Sequence, residues 1–522
     1  MTMKLDAEKI IADAVDRAKQ QMDLDELPTA EVLLKQVLKC QPDNEEAIYL
    51  LALTERRLGE IFFAKSETFS KNKYIEAKEL IETALELNPN RIDSYNLLAL
   101  CYSGLGNYDK AIFYLTKAIE LKPDFFMYYN NLALQHQYIG ELDKTIDLLH
   151  QSLTVFKSPR TYTNLGTIYG EKDDFVKAEE CFRAALELDP EDAYAHVALA
   201  GACNIQGKWA EGFAEYEWRF KHFPILGYYL AAYDQSKLWN GEQDLNGKTI
   251  LLYGEQGLGD TLQFIRYAQL VKEKGAHVIV HCPEPIRSIV SRCSGVDSTI
   301  VRDVVYNQGD DFPYYDYQCS LISLPHLLKC YDYVQGKPYI KPVATLDIRK
   351  SYPNTFNIGI SWAGSPAHPN DEVRSFPLKT FKPLHDMESV KLFNLQIDSR
   401  PRLYMGGKKV DYTEGCENLK IVDMKNMIQS MEDIATIISG LDLVVTCDTA
   451  IVHLAGAMGV PCWVLVPYLP DWRWGTEANT HWYNSVRIFR QKKKYQWDEI
   501  MQEVKEALVL NERKNALFLS NQ

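Results

Sequence analysis

Two regimes of apolar spacing divide the chain. Over the first ~220 residues, Leu- and Ala-rich runs recur at the three-to-four spacing of amphipathic helices and stop at Pro42, Pro89, Pro123 and Pro190. Past Trp239-Asn240-Gly241 that period ends. Short apolar runs then alternate with amphipathic helices, the pattern of a parallel α/β arrangement. Thr249 to Tyr253 reads as a first strand, followed by the turn Gly254-Glu255-Gln256-Gly257-Leu258-Gly259-Asp260-Thr261, a helix from Leu262 to Lys274 and a second strand from His277 to His281. A second unit of the same kind opens at Asn357-Ile358-Gly359-Ile360-Ser361, after a polar linker around Asp347 to Thr355. The predicted organisation is a helical array over residues 1–222, one Rossmann-like lobe over 223–347 and another over 348–522.

The step from Pro89 to Pro123 is 34 residues, the period of a tetratricopeptide repeat. In one unit Tyr95, Leu98, Ala99, Tyr102, Gly106, Ala111, Ala118 and Pro123 supply the aromatic, the small residues, the turn and the stop that two closely crossing helices need. Tyr129, Leu132, Ala133 and Gly140 mark the next unit; Tyr162, Leu165, Gly166, Tyr169, Ala178, Phe182, Ala185 and Pro190 mark another. The spacing predicts about six repeats, with an insertion around Phe62 to Tyr74 in the second. Asn131 and Asn164 share one repeat position. They resemble the asparagine ladder of the O-linked N-acetylglucosamine transferases, in which amides grip a peptide backbone; Asn is also common there for packing alone.

A formal net charge of -14 argues against a general affinity for nucleic acid or anionic membrane. No run approaches the ~20 apolar residues of a membrane span, and the charged start MTMKLDAEKIIADAVDRAKQ is unlike a signal peptide, so a cytoplasmic location is expected. The 11 cysteines form no CxxC pair and read as free thiols.

The candidate chemistry lies where strands run into helices. The spacing of Gly254, Gly257 and Gly259 is GxxGxG, not the dinucleotide fingerprint GxGxxG. Asp260 follows it, either as a helix-capping carboxylate or as a group facing a ligand cleft. Leu441 to Thr446 reads as a buried strand that turns at Cys447-Asp448-Thr449-Ala450-Ile451-Val452-His453-Leu454 into a helix rich in small residues. Such a helix start offers free N–H groups and the Thr449 hydroxyl to an anion such as a diphosphate, without a metal. The alternative is a capped core helix with His453 satisfied internally.

Together these residues resemble the bacterial heptosyltransferases, inverting enzymes of GT-B fold, and more closely the tetratricopeptide-repeat proteins carrying a heptosyltransferase-like domain. The likeness runs from about Thr249 to Leu508. It implies that Gly257, Gly259 and Asp260 belong to the site, with Asp260 as the catalytic carboxylate. It implies that Asp448, Thr449, Ala450 and His453 hold the donor diphosphate, Ala450 standing where the family has Gly. Ser361-Trp362-Ala363-Gly364-Ser365-Pro366-Ala367-His368 with Arg374-Ser375-Phe376-Pro377 is similar to the family's donor loop, Arg374 neutralising the leaving group. Gln396 resembles a position near the nucleotide, and Trp472, in Pro470-Asp471-Trp472-Arg473-Trp474, a residue lining the cleft or packing beneath it. The implied activity is inverting transfer of a sugar from a nucleoside diphosphate sugar to a protein or glycan acceptor recruited by the repeats. No cofactor is expected, and the absence of a DxD-type motif leads to no expectation of a metal. A tetratricopeptide scaffold whose lobes have lost turnover is the alternative; a nucleotide-sugar epimerase lacks an evident acidic pair.

Overall fold

The computed structural model describes residues 2–63, 66–301, 312–331, 337–366, 368–396, 402–405, 408–411, 416 and 418–519. The chain divides into two compact units, Met1–Glu191 and Asp192–Gln522.

The first unit is built of antiparallel helix pairs: α1 (Thr2–Asp23) with α2 (Leu27–Cys40), α3 (Glu45–Phe62) with α4 (Glu67–Leu87), α5 (Ile92–Gly104) with α6 (Tyr108–Leu121), α7 (Phe126–Tyr138) with α8 (Leu142–Val155), and α9 (Pro159–Glu171) with α10 (Phe175–Leu188). From α5 onward the helices alternate between 13 and 14 residues, so each pair presents the same faces to the next. The Tyr-after-Pro spacing has a physical cause, because the Tyr95 hydroxyl donates to the Pro89 carbonyl and Tyr129 repeats the bond to Pro123, each at 3.0 Å. Turns inside the pairs use left-handed backbone at Gly106 (φ +76°) and Gly140 (φ +82°), and Gly166 lets α9 approach the Phe182 ring so closely that a Cβ there would lie 2.7 Å from it. The insertion around Phe62 to Tyr74 largely extends α4, capped by Ser66; residues 64 and 65 lie outside the described ones.

Repeat spacing carries the array to residue 222, but the division falls between Glu191 and Asp192. The last hairpin, α11 (Ala193–Ile205) and α12 (Trp209–Tyr216), belongs to the second unit because Ala200, Phe213 and Tyr216 are buried in the core of the lobes.

The second unit holds two parallel sheets. β1 (Thr249–Tyr253), β2 (His277–Cys282), β3 (Ser298–Val301) and β4 (Tyr317–Ser320) are ordered β3-β2-β1-β4. In the other lobe come β5 (Phe356–Ser361), β6 (Val390–Asn394), an antiparallel hairpin of β7 (Arg402–Met405) and β8 (Lys408–Asp411), then β9 (Val422–Asp423), β10 (Leu443–Cys447), β11 (Cys462–Val466) and β12 (Val486–Arg490). Its sheet runs β12-β11-β10-β5-β6-β9. Both orders grow outward from the first strand and then reverse, the doubly wound plan. The reversal falls between β1 and β4 in one lobe and between β5 and β10 in the other, and ligands of such sheets bind outside the strand carboxyl ends at that point. The segments after β1, β5 and β10 carry most of the candidate residues, with Gln396 after β6 and Trp472 after β11. All cysteines are free, most of them buried, with Cys40 exposed. No helix among the described residues is long and apolar enough to cross a membrane.

Candidate functional site

The turn after β1 is anchored from beneath. Arg219, fully buried, donates from Nε and Nη2 to Glu255 Oε1 at 2.9 and 2.7 Å, and Ser320 Oγ donates to the same oxygen at 2.6 Å. Burial raises the Glu255 carboxyl above the usual range, and the Arg219 charge partly offsets this. Gln256 Nε2 donates to the Tyr216 hydroxyl at 3.1 Å. The helix after the turn starts earlier than the sequence spacing indicates, at Leu258, and runs to Phe264, with Gly257 as its cap. Asp260 therefore sits inside the first turn, and its Oδ2 reaches back to accept the Gly257 N–H at 2.8 Å. The capping role is real, but it occupies one oxygen only.

The other oxygen, Oδ1, accepts Arg473 Nη2 at 2.6 Å. Arg473 comes from the opposite lobe and is 6% exposed. Its Nη1 donates to Asp471 Oδ1 at 2.8 Å and its Nε to Gln263 Oε1 at 2.9 Å. The guanidinium lies 4.3 Å over the Trp472 ring. Trp472 itself packs edge-on against Phe213 (5.6 Å) and Tyr216 (6.1 Å), so its indole forms the floor under Arg473. Sequence reasoning named the Pro470-to-Trp474 run but missed Arg473 as the partner of Asp260, and Asp471 and Gln263 as the side chains that hold Arg473.

The two helix starts meet. A Cβ on Gly259 would lie 2.7 Å from His453 Cδ2 and 3.5 Å from the Ala450 Cα, so only glycine permits this approach. The helix Ala450–Met458 is capped by Thr449, whose hydroxyl accepts the Ile451 N–H at 3.4 Å. His453 is buried, with Nδ1 2.9 Å from the Tyr483 hydroxyl and its ring stacked on Trp474. Burial, reinforced by the charges of Arg473 and Arg266, holds its pKa well below the ordinary histidine value, so the imidazole is neutral at physiological pH. Asp448 is half-buried. Its pKa is pushed up to about 6, first by burial and then by the Asp471 carboxylate, with Trp474, Arg374 and Arg473 opposing. The Trp474 N–H completes no hydrogen bond of full geometry, so it acts on Asp448 as a nearby dipole.

Arg374 donates Nη1 to the Asp448 carbonyl at 3.0 Å and lies 3.6 Å from Asp371, packed against Gly364. It thus ties the loop after β5 to the helix start after β10. That loop is shaped by Gln396, whose Oε1 accepts Ser361 Oγ (2.9 Å), the Trp362 N–H (3.2 Å) and the Ala363 N–H (3.1 Å), while Nε2 donates to the Ala363 carbonyl (3.1 Å). The Gln396 amide is consumed within the protein, which makes it a brace for the loop where the family likeness implied a nucleotide contact. Ala367 of this loop lies outside the described residues.

In the first unit, Asn131 Nδ2 donates to Asn96 Oδ1 at 2.8 Å and Asn164 Nδ2 to Asn130 Oδ1 at 3.1 Å. These two bonds tie α7 to α5 and α9 to α7 through the amide nitrogens, a packing contact that sequence position alone does not reveal.

Protein FlbA of Caulobacter vibrioides is 26% identical over 345 residues, covering 61% of this chain and 56% of its own length. The chain thus matches little more than half of that relative. Among solved structures, the tetratricopeptide-repeat protein TTC0263 of Thermus thermophilus is 24% identical, with 37% of this chain and 98% of the other covered and a TM-score of 0.32. MamA is 20% identical over 32% of this chain and 96% of its own, with a TM-score of 0.28. The tetratricopeptide repeat family model matches residues 92–125 and 159–192. With the helix pairs and the Tyr-to-Pro bonds that join them, that match makes the N-terminal array a solenoid of tetratricopeptide repeats.

Proposed function

We propose that the second unit is an inverting glycosyltransferase of GT-B type that uses a nucleoside diphosphate sugar, and that the repeats recruit its protein or glycan acceptor. The observation that carries this reading is the contact of Gly259 with His453 and Ala450, which sets Asp260 from one lobe against an anion-favouring helix start from the other. In the proposed reaction an acceptor hydroxyl gives its proton to Asp260 as its oxygen bonds to the anomeric carbon. The bond from that carbon to the diphosphate breaks, and Arg374, the Thr449 hydroxyl and the Ala450 N–H that opens the helix take up the leaving charge. Attack opposite the leaving group inverts the anomeric centre. Each carboxylate oxygen of Asp260 has a second lone pair beyond its present bond, so the acceptor can be met without breaking either.

A thermal-shift panel of UDP-glucose, UDP-N-acetylglucosamine, GDP-mannose and ADP-glucose tests donor binding. Stabilisation by one of them, followed by transfer or hydrolysis, supports the reading. Asp260→Asn should leave donor binding intact and lower turnover by about 10² to 10⁴. Silence across the panel would favour a scaffold whose lobes keep the fold alone.

A further inference from the structure

We propose that Arg473 is a cross-lobe latch that positions the Asp260 carboxylate, so that the base is held in its reacting orientation only while the two lobes are closed. This rests on the transferase reading for its catalytic consequence, but the latch itself is a matter of geometry. Asp260 and Gln263 belong to the helix after β1, Asp471 and Arg473 to the segment after β11. Three different nitrogens of one guanidinium bind three side chains, Asp260 at 2.6 Å, Asp471 at 2.8 Å and Gln263 at 2.9 Å. The planar fork is thus fixed in orientation from both lobes. Asp471 also accepts the Arg473 backbone N–H at 3.0 Å, so the donor-lobe half of the latch is a local, preformed turn. Asp260 and Gln263 lie one helical turn apart on the same face of their helix, which lets one arginine grip both. The floor is equally specific, since Trp472 stacks under the guanidinium and rests on Phe213 and Tyr216 of α12. Separation of the lobes would leave Arg473 with Asp471 alone and Asp260 with only the Gly257 N–H, free to rotate.

A positioning role differs from a general structural one in three measurable ways. Arg473→Ala should lower turnover nearly as much as Asp260→Asn while changing the donor KM less than about threefold, because the arginine makes no hydrogen bond or ion pair to a group assigned to the diphosphate. Adding the second change to the first should then cost little more, since both remove one working unit. Millimolar guanidinium should restore turnover of Arg473→Ala by about tenfold, and Arg473→Lys, which keeps the charge but not the fork, should recover only part. Losses that multiply in the double variant, or an Arg473→Lys enzyme equal to the wild type, would overturn the proposal. The latch is also tested without turnover: amide exchange in Leu258–Phe264 should quicken in Arg473→Ala and Arg473→Lys but not in Arg374→Ala. Unchanged exchange in both Arg473 variants refutes the latch even if the protein transfers sugar. Faster exchange in a protein that binds no nucleotide sugar upholds the latch and refutes the transferase reading.

Discussion

Replacing Gly259 with alanine tests the contact on which the site depends. A helical glycine that meets no neighbour should gain about 0.5–1 kcal/mol on replacement by alanine, through lower backbone entropy in the unfolded chain. Gly201, within α11, is such a position, with nothing within 4 Å of a built Cβ. At Gly259 the same methyl would lie 2.7 Å from His453 Cδ2, well inside contact distance. The imidazole cannot swing aside cheaply, because Tyr483 holds Nδ1 at 2.9 Å and Trp474 covers one face. Forcing a methyl into so packed a place costs about 1–3 kcal/mol. The two effects leave Gly259→Ala destabilised by up to about 2.5 kcal/mol, whereas Gly201→Ala is stabilised.

The assay is favoured by where the tryptophans fall. All nine lie between Trp209 and Trp497, so their fluorescence during urea unfolding reports only the second unit. A second arm uses His453→Ala as the background: without the ring, Gly259→Ala should become neutral or stabilising, a coupling of about 1 kcal/mol or more. A Gly259→Ala protein as stable as Gly201→Ala would refute the packed contact, and with it the placement of Asp260 against the Ala450 helix start.

Gln396→Ala should cost about 1–3 kcal/mol, since it strips the acceptor from the Ser361 hydroxyl and two backbone N–H groups. The same fluorescence-detected unfolding measures it, and a neutral change would return Gln396 to the pool of ligand-facing residues. For Asp448 the sign follows from a folded pKa raised to about 6. The folded state binds the proton more tightly than the unfolded one, so this group's contribution to stability falls as pH rises from the ordinary carboxylate range through about 6. Asp448→Asn should therefore be more stable than the wild type at pH 8, with the advantage gone near pH 4; equal stability at both pH values would contradict the raised pKa.

The repeats were legible because their signals are local. A tyrosine six residues after a proline closes a hydrogen bond within one repeat, and Gly106 and Gly140 mark turns whose backbone other residues rarely adopt. Buried parallel strands announced themselves as apolar runs in the same way. What sequence could not reach was partnership at a distance. Asp260 and Arg473 stand 213 residues apart, and neither period nor motif links them. The start of the Leu258–Phe264 helix was displaced because a carboxylate in the first turn and one at the cap serve the same N–H groups, so spacing alone cannot choose between them. Repeat spacing also dictates a hairpin at α11 and α12 without saying what the hairpin packs on; the aromatic residues Phe213 and Tyr216 decide that by joining the lobe core.

The charges around the opposed helix starts place a condition on the donor reading. Asp260, Asp371, Asp448 and Asp471 face Arg374 and Arg473; Arg473 is already shared between Asp260 and Asp471, and Arg374 lies 3.6 Å from Asp371. A diphosphate brought to the Ala450 helix start would meet an excess of negative charge unless one carboxylate yielded. Asp260 and Asp471 each have a direct Arg473 partner, whereas Arg374 meets Asp448 through its backbone carbonyl and leaves the Asp448 carboxylate without a close cation bond. With its pKa already near 6, Asp448 is the group that can take up a proton as the anion arrives. On this reading the acidic residue of the helix-start motif does not itself grip phosphate. The Thr449 hydroxyl, the Ala450 N–H and Arg374 would do that, with Asp448 taking up the proton.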